Sequence, residues 1–186
     1  MDAPRTLIVL AHPNLPGSQA NAAMIEAVRG VDHVTVHDLH AAYPDFRIDA
    51  ERERQLIREH DTIVLQFPFQ WYGVTALLKQ WMDTVLSMGF AFTFDGSPSE
   101  MRGKKVLVAV TIGNNPESYS HAGLNRATID ELLLPVQRSM EMCQVDYRGA
   151  FKLYGLMLGT VSAEDITLHA KTYRDMLATG EIPVQV

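Results

Sequence analysis

Three short stretches of this chain bring together residue types that can do chemistry. The first is AHPNLPGSQAN, residues 11–21, with His12, Ser18 and Asn21 spaced among prolines and a glycine. It contains no GxGxxG, so the dinucleotide fingerprint is absent. A Pro/Gly/Ser/Asn loop feeding a helix offers free backbone N–H groups and a partial positive charge, which hold a phosphate without Lys or Arg. Ser18 and Asn21 add side-chain donors, and His12 points at the same place. The second stretch is PFQWYG, residues 68–73, where Gln70, Trp71 and Tyr72 follow Pro68 and Phe69. Consecutive side chains at a strand exit point in different directions, so they cannot all enter the core. Backbone and aromatic groups there can grip a flat heterocycle. The third is TIGNNPESYSH, residues 111–121, a polar loop that carries Thr111, Gly113, Asn114 and Tyr119. Gly113 lets backbone approach a ligand closely.

These stretches need a scaffold, and the rest of the chain carries its signals. Residues 6–11 (TLIVLA), 62–67 (TIVLQF) and 105–111 (KVLVAVT) are apolar runs of the kind buried on both faces of a sheet. Residues 34–36 form a weaker strand, and 146–155 contain a fifth. Between them lie helical patterns. Residues 18–29 start at Ser18 as N-cap. Residues 49–60 start at Asp49 and are charged, as on a solvated helix. Val74, Leu77, Leu78, Trp81, Met82 and Val85 form one apolar stripe at helical spacing. Residues 125–142 are interrupted by Pro135, which should kink or split them. Residues 163–179 end at Gly180.

Strand and helix thus alternate without repeat or linker, as in one doubly wound α/β domain spanning residues 1–186. Five parallel strands favour the flavodoxin-like order 2-1-3-4-5. Ligands of such sheets sit beyond the carboxyl ends of the strands, at the switch point lined by the turns after strands one, three and four. Those turns are the three stretches above. Each alone reads as a helix cap, a core plug or a surface loop. Together they suit a planar, phosphorylated cofactor, of which FMN is the simplest candidate.

Composition removes other classes. The chain has 186 residues, 47% hydrophobic and 20% charged, with a net charge of −6 and no long basic run. That argues against nucleic acid and against a polybasic membrane anchor. One cysteine, Cys143, excludes an intrachain disulfide and a cysteine-based metal cluster. The apolar run near the start is too short to span a membrane and lacks a signal-peptide cleavage pattern, so a cytoplasmic protein is expected. His37 and His40 have HxxH spacing, but no motif arranges a carboxylate partner, so they are not read as a metal site. Met88, Met140, Met142 and Met157 read as core or interface filler, and Asp130 and Glu131 as a solvated helix face.

LIVLAHPNLPGSQAN, YPDFRID, DTIVLQFPFQWYGVTALLKQWMD, GFAF, RGKKVLVAVTIG and ELLLPVQ cover nearly the whole chain. In these the sequence resembles the flavodoxin-like NAD(P)H:quinone oxidoreductases. That family includes DT-diaphorase, the modulator-of-drug-activity type and the ancillary flavoproteins of bacterial potassium-efflux systems. The resemblance implies a flavin-bearing homodimer with sites at the subunit interface. The phosphate or pyrophosphate would lie near His12, Ser18, Ala20 and Asn21. The ring would rest on Pro68, Phe69, Gln70, Trp71 and Tyr72, with its far edge at Thr111, Ile112, Gly113 and Asn114. Tyr119 falls near the reactive edge as a proton-relay or substrate-orienting hydroxyl, with His121 a weaker partner.

The implied activity is ping-pong hydride transfer from NAD(P)H through the flavin to quinones or related electrophiles. FMN is the expected cofactor and FAD the alternative. The alternative function is a flavin-bearing regulatory subunit of a potassium-efflux transporter. A one-electron carrier is a third class, which a charge of only −6 does not favour. The chain departs from the family in three places. TIGN stands where the family has TTGG, Asn125 stands where the diaphorase branch has a histidine, and TFDGSPSEMRG replaces a glycine-rich loop. The apolar stretch 81–94, with Phe90, Phe92 and Phe94, is the expected dimer surface.

Overall fold

The computed structural model describes residues 3–185. Five strands, β1 (Thr6–Leu10), β2 (Val34–Asp38), β3 (Thr62–Pro68), β4 (Lys105–Thr111) and β5 (Asp146–Leu153), form one sheet in the order 2-1-3-4-5. All four pairings are parallel, in the flavodoxin-like arrangement. Among the described residues, seven α-helices connect and cover it: α1 (Gln19–Val28), α2 (Leu39–Ala42), α3 (Ala50–Arg58), α4 (Ala76–Val85), α5 (Ile129–Leu132), α6 (Leu134–Met142) and α7 (Ala163–Thr179). Among the described residues, no helix is long and apolar enough to cross a membrane.

The strand period of two divides the core. Ile8, Leu10, Val64, Leu107 and Ala109 face α1 and α7, meeting Met24, Val28, Tyr173 and Leu177. Leu7, Val9, Ile63, Leu65, Val106 and Val108 face the other way, onto Ile57 of α3, Leu77 and Trp81 of α4, and Met140 of α6. Central strands buried on both faces explain why their sequences are continuous apolar runs rather than alternating ones.

Helix starts follow local chemistry. The Ser18 side chain accepts from the Asn21 N–H, Asp49 from Arg52, and Ser162 from Asp165 in a capping box. Gly180 ends α7 with φ 67°, where a side chain would be strained. Pro135 sits in the first turn of α6, so the expected split falls between α5 and α6.

Four expectations are corrected. Val74 precedes α4, which opens after Thr75, whose hydroxyl donates to the Ala11 carbonyl at 3.0 Å and fixes α4 to the end of β1. The α3 helix is not simply solvated, because Glu53 and Ile57 are fully buried. The carboxylate missing from the His37 reading is that same Glu53, 2.8 Å from His37 Nε2. Phe90 is not free for a partner: it is buried, with the guanidinium carbons of Arg54 and Arg58 5.5 and 5.4 Å from its ring centre. Phe94 and Met88 remain exposed beside it. Cys143 is buried, and burial raises its thiol pKa to about 11.

Candidate functional site

A cleft of about 410 Å³ opens at the carboxyl ends of β1, β3, β4 and β5. The turn after β1 contributes His12, Gly17, Ser18, Gln19 and Ala20. Pro68, Phe69 and Gln70 come from the end of β3, and Thr111 and Gly113 from the end of β4. Leu156 and Met157 follow β5. The lining contains no Lys, Arg, Asp or Glu. Any anion held here is therefore held by neutral donors.

The turn after β1 is built to present them. Asn14 caps a short 3-10 turn, Leu15–Gly17, and Ser18 then caps α1. The N–H groups of Gln19 and Ala20, in the first turn of α1, have no acceptor among the described residues. His12 Nδ1 accepts the Asn14 N–H at 3.1 Å, which leaves Nε2 as the protonated nitrogen. Burial lowers the His12 pKa, the charge of His40 lowers it further, and Asp38 opposes both. His12 is thus a neutral donor rather than a cation at neutral pH.

The β3 and β4 turns are locked to each other. Pro68 pairs with Thr111 in register, and the Phe69 N–H donates to the Thr111 carbonyl at 2.8 Å. Beyond β4, the carbonyls of Ile112, Gly113 and Asn114 accept from Leu156, Met157 and Gly155. The N–H groups of Gly113 and Asn114 have no acceptor among the described residues. The chain after β5 thus zips onto the 112–114 turn and lays Met157 over Gly113. A Cβ on Gly113 would come within 2.6 Å of the Met157 sulfur.

The structure brings His12, Ser18, Ala20, Pro68, Phe69, Gln70, Thr111 and Gly113 to one cleft. Other expected residues stand elsewhere. Asn21 is fully buried; its backbone N–H and side-chain nitrogen go to Ser18 and Thr111, and its side-chain oxygen accepts from Gln66. It is spent inside the protein and is no donor to a ligand. Ile112 is also fully buried, and its N–H and carbonyl pair with Leu153 and Leu156. A threonine hydroxyl at that position would therefore face the core. Asn114 adopts no positive φ, so it carries no strain for lacking glycine's freedom.

Trp71 and Tyr72 lie outside the lining. Both have positive φ, 47° and 64°, in a tight turn closed by two hydrogen bonds between Gln70 and Gly73. That geometry throws the side chains outward, leaving Trp71 95% exposed and the Tyr72 hydroxyl 3.1 Å from Asn125 Oδ1. Tyr119 stands one residue back from the cleft, edge-on to Phe69 with ring centres 6.0 Å apart. Burial, then the nearby Tyr72, raises its pKa, so it stays a protonated donor. His121 is exposed and turned to Glu131 at 3.5 Å, away from the cleft. Gln19, Leu156 and Met157 were not anticipated. Met157 is an exposed wall of the cleft rather than core filler.

The comparisons with known proteins fit this geometry. A family described by its flavodoxin-like fold matches residues 4–177. The potassium-efflux system ancillary protein KefG of Erwinia tasmaniensis is 39% identical over 174 residues, covering 94% of this chain and 92% of its own. The crystal structure of general stress protein 14 from Treponema denticola, in complex with FMN, superimposes with a TM-score of 0.87 at 35% identity, covering 96% and 100% of the two chains. An NADPH-quinone reductase from P. pentosaceus superimposes with a TM-score of 0.81 at 28% identity, covering 94% and 98%. With its family match spanning nearly all of it and relatives this similar along their whole length, the chain is a member of the family of proteins with the flavodoxin-like fold.

Proposed function

We propose that this protein is an FMN-dependent NAD(P)H oxidoreductase that reduces quinones or related electrophiles. One observation carries the reading. The cleft gathers donors that have no acceptor among the described residues, from the turns after β1 and β4, together with the apolar Pro68–Phe69 wall. That set suits a planar ligand with a carbonyl edge and a phosphorylated tail. The likeness to an FMN-bound general stress protein and to an NADPH-quinone reductase supports it.

Bound there, FMN would take hydride from NAD(P)H and pass it to the acceptor, the chemistry being the cofactor's own. Ser18, His12 and the N-terminus of α1 would hold the phosphate through neutral N–H and O–H groups. Phe69 and Gln70 would support the ring, while the Gly113 N–H, the cleft donor after β4, would face its polar edge. Donor and acceptor would use the same open face in turn, giving ping-pong kinetics. The exposed Met88, Phe94 and Met142 suit a homodimer surface.

The similarity to KefG supports a second reading, a flavin-bearing regulatory subunit of a potassium-efflux transporter. The test is the spectrum of the purified protein, mass analysis of the released flavin, and NAD(P)H oxidation with a soluble quinone. FMN with quinone-dependent turnover is expected. FAD alone, or no flavin after reconstitution, would overturn the cofactor assignment. FMN without turnover would favour the regulatory reading.

A further inference from the structure

A line of polar side chains crosses the apolar core and ends in the cleft. The Tyr173 hydroxyl of α7 donates to Gln66 Oε1 of β3 at 3.0 Å. Gln66 Nε2 donates to Asn21 Oδ1 of α1 at 3.1 Å. Asn21 Nδ2 donates to Thr111 Oγ1 at 2.9 Å and reaches Ser18 Oγ at 3.4 Å. Tyr173, Gln66 and Asn21 are all fully buried, so none of them touches a ligand. A polar line through a core is tolerated only when every member is satisfied.

The line has a direction. Each amide receives at its oxygen and gives from its nitrogen, so each member donates toward the cleft. The reverse polarity would aim Gln66 Oε1 at the Asn21 backbone carbonyl, which instead lies 3.4 Å from Gln66 Nε2. Two oxygens facing each other there would repel. Burial raises the Tyr173 pKa strongly, which keeps its hydroxyl protonated and able to start the line. At the far end, Thr111 and Ser18 both accept from Asn21. Neither hydroxyl proton has an acceptor among the described residues, and both residues line the cleft.

Resting on the FMN reading above, we propose that Tyr173 and Gln66 are positioning residues for the ribityl phosphate tail of the cofactor. By fixing the polarity of Asn21, they make Thr111 and Ser18 obligate donors to the cleft. Were Asn21 to flip, its oxygen would accept the Thr111 proton, and the tail would lose a donor. Recognition of the tail is thus set partly by a tyrosine on the helix behind the sheet.

The test compares FMN with lumiflavin, which has the same ring but no tail, by fluorescence titration of the apoprotein. The proteins are wild type, Tyr173→Phe, Thr111→Val, Thr111→Ser and the Tyr173→Phe/Thr111→Val double variant. Wild type is expected to prefer FMN strongly. Tyr173→Phe and Thr111→Val should each cut that preference about 5- to 10-fold, the worth of one hydrogen bond. Lumiflavin affinity should stay unchanged, because the shared Asn21 Nδ2 sets the Thr111 hydroxyl beside Ser18, at the tail end of the cleft rather than at the ring edge that the family resemblance implies. Thr111→Ser should keep the preference. The double variant should lose no more than the larger single one, because both act through one hydroxyl. Gln66→Met breaks the next link and carries the same expectation if Tyr173→Phe does not fold. An unchanged preference in Tyr173→Phe, or an equal loss for both ligands in step with a lower apoprotein melting temperature, would overturn the proposal. A wild type that binds lumiflavin as well as FMN would also overturn the proposal, whereas one that binds neither would overturn the flavin reading itself.

Discussion

The indole N–H of Trp81 on α4 donates to Glu53 Oε2 on α3 at 2.7 Å, deep in the core. The other carboxylate oxygen takes the Tyr43 hydroxyl at 2.6 Å and His37 Nε2 at 2.8 Å. One buried carboxylate thus ties β2, the chain after α2, and α3 to α4, the helix that follows the 68–73 turn. Removing it strands three buried donors. Glu53→Ala should cost about 3–5 kcal/mol, and Glu53→Gln about 1–3 kcal/mol, because the amide faces a donor with a donor. Urea denaturation followed by circular dichroism measures both.

The same carboxylate makes stability depend on pH. Burial alone would raise the Glu53 pKa, but donation from His37, Tyr43 and Trp81 outweighs it and holds the group below its ordinary 4.5. A depressed carboxylate contributes stability that is complete above the unfolded value and lost as pH falls through the folded one. The stability gap between wild type and Glu53→Gln should therefore be full at neutral pH and shrink progressively below pH 4.5. Denaturation curves at several pH values check this. A gap that widens in acid would refute the assignment.

Trp71 and Tyr72 occupy a backbone region that large side chains enter only under strain, of order 1–3 kcal/mol per residue. Hairpins of this geometry favour Asn-Gly at the two central positions. Replacing Trp71 by Asn and Tyr72 by Gly should therefore raise the melting temperature, since Trp71 is almost wholly exposed and its loss leaves no buried gap. Quinone reduction should fall in the same protein, because exposed aromatics held under strain beside the cleft suit a role in acceptor binding. A gain in stability with unchanged turnover would leave these residues without that role.

Much of the scaffold was legible because its signals are local. The apolar runs of β1, β3 and β4 mark buried strands, and Ser18, Asp49 and Gly180 announce helix ends through single hydrogen bonds or one dihedral angle. What stayed hidden depends on contacts distant in sequence. Glu53 reads as surface until Trp81, 28 residues on, is seen to donate to it. Asn21 looks like a ligand donor until Gln66 and Thr111 are seen to occupy its amide. Met157 follows an edge strand, with nothing in the sequence to show that its backbone pairs with Gly113. The positive φ at Trp71 and Tyr72 carries no sequence mark, because neither position holds Gly or Asn.

Gly113→Ala tests how tightly that last segment closes the cleft. The φ of Gly113 is not positive, so alanine brings no backbone strain. Its methyl would instead meet the Met157 sulfur at 2.6 Å and Cγ at 2.7 Å. Met157 is exposed and flexible enough to swing away, so stability should change by under about 1 kcal/mol. FMN affinity should fall as the wall shifts. Adding Met157→Ala should restore it, and titrations of the single and double variants decide the point. If the double variant binds as poorly as Gly113→Ala, the clash is not the cause.

Tyr119 packs edge-on against Phe69 and lies 6.2 Å from the ring of Tyr154, yet its hydroxyl has no partner among the described residues. Burial raises the pKa of this half-buried phenol, so it keeps its proton, and the proposed reduction would have a donor in it. His121 cannot serve it, being exposed and paired with Glu131. Asn125 is committed to Tyr72 through its oxygen, while its buried nitrogen has no partner among the described residues. Tyr119→Phe keeps the ring that supports Phe69 and removes only the hydroxyl. Flavin content and melting temperature should therefore stay normal. The rate of flavin reduction by NAD(P)H should fall about 10-fold, equivalent to about 1.4 kcal/mol of barrier. Stopped-flow measurement separates the two roles. An unchanged rate would leave Tyr119 as support for Phe69 alone, and a loss of flavin would mean that its hydroxyl holds the cofactor rather than the substrate.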